Sequence, residues 1–117
     1  MSANVQQYQA VQGTAEAVDA TPNAEVLAAV AGKVIRLQKA VVQVTVAAVG
    51  GAGEVALEDG EGGTQIFVAD ADAVRVVSID FGDRGYPLTS GTALNLTVED
   101  AVTTQATASC SAVGIAV

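Results

Sequence analysis

Two short acidic runs, Glu58-Asp59-Gly60-Glu61 and Asp70-Ala71-Asp72, are where this sequence comes nearest to chemistry. Carboxylates so close together can bind Ca²⁺ weakly or supply the acid and base of a glycosidase pair. Neither run has the full Asp-x-Asp-x-Asp-Gly loop ending in Glu that a tight Ca²⁺ loop needs. Acids in tight turns also keep sheet edges from sticking to one another, and the solvated-turn reading is the one favoured here. Histidine is absent from all 117 residues, which removes most catalytic triads and the commonest zinc ligand sets. The chain is expected to be no enzyme, with no catalytic residue, no metal site and no cofactor.

Other reactive-looking residues have structural readings. Cys110 is the only cysteine and lies in the small-residue run Ala106–Ala112, so it makes no intrachain disulfide and reads as a buried apolar thiol. Gly60-Glu61-Gly62-Gly63 has neither the Lys nor the following helix of a phosphate cradle and reads as a hairpin turn. Asn95-Leu96-Thr97 matches a glycosylation acceptor, but it falls in the middle of an expected strand and reads as chance. Tyr86-Pro87-Leu88 follows a Gly-bounded turn. It reads either as a contact patch or as residues that open a strand and cover one end of the core.

The elements that position these residues follow from composition and period. At 117 residues one domain is expected. Half of the residues are hydrophobic but only 3% are aromatic, and Ala and Val fill 43 positions, so the core is thin and built from small side chains. Such a core leans on neighbours for stability. The formal charge of −8 and a pI near 4.1 oppose any grip on nucleic acid or anionic membranes. No apolar run is long enough to span a bilayer and the first 20 residues lack a signal-peptide pattern, so synthesis in the cytoplasm is expected.

Residues 1–24 show no sustained periodicity and read as an N-terminal arm or a short edge strand, ordered by a partner. Residues 25–117 read as the domain proper. Ile35 and Leu37 alternate with polar neighbours, then the apolar set changes parity to Ala40, Val42, Val44 and Val46, which calls for a bulge near Gln38-Lys39. Val55 and Leu57 point inward on the first strand of a hairpin whose second strand is 64–69. A β-branched run over 73–81, a Leu94/Leu96/Val98 strand and a closing strand over 103–116 follow. That closing strand puts Ala106, Ala108, Cys110, Ala112, Gly114 and Ala116 on one face. The fold class expected is all-β: a single antiparallel β-sandwich, jelly-roll-like, of about seven or eight strands with an extended N-terminal arm.

Ala31-Gly32-Lys33-Val34-Ile35-Arg36, Ser90-Gly91-Thr92-Ala93-Leu94-Asn95-Leu96 and the closing Val113-Gly114-Ile115 resemble the small β-sandwich virion structural proteins of tailed bacteriophages. The resemblance spans roughly residues 25–117. It departs from that pattern in having only Phe81 and Tyr86 where similar chains carry a Trp- or Phe-rich segment.

The resemblance implies a capsid decoration, or cement, protein that bridges subunits of the major capsid protein on the virion surface. It is expected to be a homo-oligomer, with a trimer favoured, and to contact no nucleic acid and no membrane. Partner contacts are expected at Tyr8 and Val11 in the arm and at Tyr86, Pro87 and Leu88. A head- or tail-fibre component binding a host surface glycan is the alternative.

Overall fold

The computed structural model describes residues 9–18, 23–46, 53–100 and 106–117. These hold nine strands and no helix: β1 Gln9–Val18, β2 Asn23–Leu27, β3 Ile35–Val46, β4 Gly53–Asp59, β5 Thr64–Asp70, β6 Arg75–Asp80, β7 Tyr86–Pro87, β8 Leu94–Asp100 and β9 Thr107–Ala116. All pairings are antiparallel. One sheet, here sheet A, runs β1-β9-β3-β6, with the two-residue β7 also pairing with β3; sheet B runs β2-β8-β4-β5. Apart from the two-residue β7, the β4–β5 hairpin is the one place where consecutive strands share a sheet. Every other connection crosses the sandwich, which is jelly-roll winding.

The expected β-sandwich is therefore what the chain forms, with one more strand than the seven or eight expected. The addition comes from the N-terminal segment. Residues 9–18 pair with β9 in unbroken register from Gln9↔Ala116 to Val18↔Thr107. Of the two readings of residues 1–24, an arm or a short edge strand, Gln9–Val18 forms an edge strand of the sandwich, paired with the chain's own last strand. The 24/25 boundary falls inside β2.

Alternation sets the layers. Ile35, Leu37, Ala40, Val42 and Val44 of β3 meet Val55 and Leu57 of β4 and Leu94, Leu96 and Val98 of β8 in one buried cluster. The parity change in β3 is resolved by a register shift between Leu37 and Lys39 against β9, which leaves Gln38 as the extra residue. The Gln38 carbonyl accepts from Phe81 N (2.8 Å), and its Nε2 donates to Asp83 O (2.9 Å), so the bulge also anchors the β6–β7 loop. On β9 every second residue from Ala106 to Ala116 is buried.

Small residues let the sheets approach. A side chain at Gly13 would collide with the Val26 carbonyl oxygen of β2, so β2 rests directly on the backbone of β1. Gly60 and Gly62 take positive φ (80° and 76°) and turn the β4–β5 hairpin.

Candidate functional site

The acidic runs are engaged in building the fold. Glu58 is 92% buried: its Oε1 accepts from Asn95 Nδ2 (3.0 Å) and from Gly62 N (3.3 Å), while Asn95 Nδ2 also donates to Asn23 Oδ1 (3.0 Å). This bridge ties β2, β8 and β4 together at the hairpin. Asp59 accepts from Thr89 N (3.0 Å to each oxygen) and Thr89 Oγ1 (2.7 Å), which pins the loop leading into β8. Asp72 is paired with Arg75 at 2.8 Å, and Asp70 is exposed at the end of β5. Among the described residues no group of three or more His, Cys, Asp or Glu could hold a metal ion.

Cys110 lies inside the sandwich at 1% exposure, and desolvation pushes its thiol up from 9.0 to about 12. A thiol held protonated is neither a nucleophile nor a metal ligand.

The surfaces carry more information than the clusters. The four strands of sheet B hold Glu25, Glu54, Glu58, Asp59, Asp70, Glu99 and Asp100 and no Lys or Arg. The strands of sheet A hold Arg36, Lys39 and Arg75 against Glu16 and Asp80. One layer of the sandwich is strongly negative and the other is close to neutral. Across sheet B, Asp70, Glu54 and Glu99 stand in one register row.

The outer face of sheet A mixes charges of both signs with small and apolar residues. Among its registered rows are Gln12–Val113–Lys39–Asp80, Thr14–Ser111–Val41–Ser78, Glu16–Ser109–Gln43–Val76 and Ala10–Ile115–Arg36–Pro87. Val41 and Val113 are each 40% exposed and Val76 is 60% exposed. Ser111 is short between longer neighbours, so a trough of about 590 Å³ runs along β9, walled by Gln12, Thr14, Lys39, Val41 and Val113.

The residues expected to contact a partner do not form one patch. Tyr8 lies outside the described residues. Val11 is half-buried and packs on the core from the inner face of β1. Tyr86 is half-buried against Phe81, with ring centroids 6.1 Å apart and planes tilted by 57°, and Pro87 beside it is exposed. Leu88 is 2% exposed: its amide donates to Ile35 O, which turns its side chain into the core and leaves it no surface to offer. Leu88 thus sits in the core cluster with Tyr86 packed against it, while Pro87 between them is exposed. The exposed valines and the charge division were missed from the sequence. The alternation showed each strand's polar side, but not which strands share a sheet.

No protein-family model and no curated protein matches the chain. Among solved structures, the chain is similar to the extra small virus particle of the giant freshwater prawn Macrobrachium rosenbergii, at 12% identity and a TM-score of 0.35, covering 99% of this chain and 83% of that one.

Proposed function

We propose that the protein is a virion structural protein that decorates a bacteriophage capsid and stabilises it by bridging subunits of the major capsid protein. The observation that carries this reading is the division of charge between the two sheets. A module laid on a shell needs one face that packs on protein and another that meets water and repels neighbouring particles. Sheet A, near-neutral with exposed valines, has the composition for packing; sheet B, whose strands carry no base and which shows Glu25, Glu54 and Asp70 at its surface, has the composition for the outside. Jelly-roll winding, in which all but one of the main-strand connections cross the sandwich, gives a rigid plate for that role. The sequence segments that resemble tailed-phage virion proteins point the same way. The glycan-binding fibre reading gains nothing from the described aromatics, since Phe67, Phe81 and Tyr86 are all half-buried on the core.

The test is to band particles from the producing culture on a density gradient and count copies of this polypeptide by mass spectrometry. Hundreds of copies per DNA-containing particle are expected. A few copies would indicate a fibre or tail part, and absence from the band would overturn the proposal. Val41→Glu with Val113→Glu is expected to strip the protein from particles while leaving it folded.

A further inference from the structure

Among the described residues four strands lie at sheet edges, and they are not guarded alike. β2 is five residues long and its register breaks between Glu25 and Leu27. The β5 edge is broken by the shift between Leu57 and Glu58 and ends in Asp70. β6 is six residues long, opens on the Arg75–Asp72 ion pair and closes on Asp80. β1 alone is long, ten residues, with no register shift, no Lys, no Arg and no Pro, and with Glu16 as its one charge. Natural sheets blunt exposed edges with short strands, charges, proline or bulges, because an unpaired row of N–H and C=O groups templates another strand. Three edges here follow that rule and the fourth does not.

We infer that the free edge of β1 pairs with β1 of a second copy of this chain, antiparallel about a two-fold axis, so that sheet A runs continuously through both copies. A second copy is the occupant because the strand is complementary to itself. Directly opposed residues share a sheet face, so the registers of greatest overlap centre on Gly13 or on Thr14. In the first, Glu16 faces Ala10; in the second it faces Gln12. The single charge never meets its own copy, which like-charge repulsion across strands would penalise. The seven acids of sheet B lie on the other layer, away from this seam. The pairing is two-fold rather than the three-fold association expected from the resemblance, and it stands whether or not the protein coats a shell.

Sedimentation of the full chain tests it, with twice the 11.6 kDa chain mass expected for the wild type. Gln12→Glu with Thr14→Glu sets carboxylate opposite carboxylate in either register, residue 12 against 14 in the first, 14 against 14 and 12 against Glu16 in the second, and is expected to weaken the dimer about tenfold or more. Thr45→Glu with Ser111→Glu, on the exposed face of inner strands, changes the net charge equally and is expected to leave the dimer intact. Should the double edge variant fail to give a wild-type circular-dichroism spectrum, Thr14→Glu alone serves, since Thr14 lies on or beside the axis in both registers. A monomer at every concentration, a trimer, a dimer that survives the edge glutamates, or one that dissolves with the control overturns the inference.

Discussion

Gly13 and Cys110 show how little free space the small-residue core leaves. Gly13→Ala drives a methyl group into the Val26 carbonyl, so β1 and β2 must separate or twist. Overpacking of this kind costs about 1–3 kcal/mol, and urea unfolding is expected to show a loss in that range with an unchanged m-value. Cys110 makes a prediction about pH. Its folded-state value, about 12, lies above the unfolded 9.0, so the thiolate is favoured only by unfolding. The sign follows: stability is undiminished below pH 9 and falls between pH 9 and 12, by about 1.4 kcal/mol per unit from this group. Cys110→Ala is expected to lose that slope. The difference between the two unfolding curves from pH 8 to 11 measures it, and equal slopes would mean that the thiol is wetter than its burial implies.

At the scale of elements, the bulge in β3 is the clearest test of what alternation encodes. Deleting Gln38 would force Ile35 and Leu37 out of phase with Ala40, Val42 and Val44, and one set must turn to water. Exposing two large aliphatic side chains costs about 3–6 kcal/mol, a large part of the 5–15 kcal/mol typical of a domain. The deletion variant is expected to be unfolded or to melt far below the wild type. Gln38→Ala keeps the bulge, loses the bond to Asp83 O and is expected to cost only about 1 kcal/mol. The parity change made this bulge legible in the sequence, as the strict alternation of β9 made its buried face legible. β1 alternates too, with Val11, Gly13, Ala15 and Ala17 inside and Gln12, Thr14 and Glu16 outside. Its inner residues are so small that hydrophobicity barely registers the period, and so the segment read as either an arm or a short edge strand. Which strands share a sheet was not legible at all, because jelly-roll winding pairs β2 with β8 and β1 with β9 across most of the chain.

The same winding determines the electrostatics of the whole molecule, since it gathers four separate acidic segments into sheet B and leaves every base outside it. Glu54 is the centre of that field, with Asp70 directly opposite it on β5. Like charges directly opposed in a sheet destabilise by roughly 0.2–1 kcal/mol per pair, so Glu54→Lys, which turns the repulsion from Asp70 into an attraction, is expected to stabilise the fold by about 1 kcal/mol. The gain should appear at 10 mM salt and fade near 1 M, where charges more than about 3 Å apart are screened. A chain that keeps such a pair forgoes stability, and an outward face that must repel other particles is a reason to do so. Particle loading separates that reason from its rival. If sheet B meets water, Glu54→Lys loads onto particles as the wild type does, and the decorated particles aggregate more readily at low salt. If sheet B instead grips a basic surface on the shell, the same variant loads poorly, and the face assigned to water is the docking face.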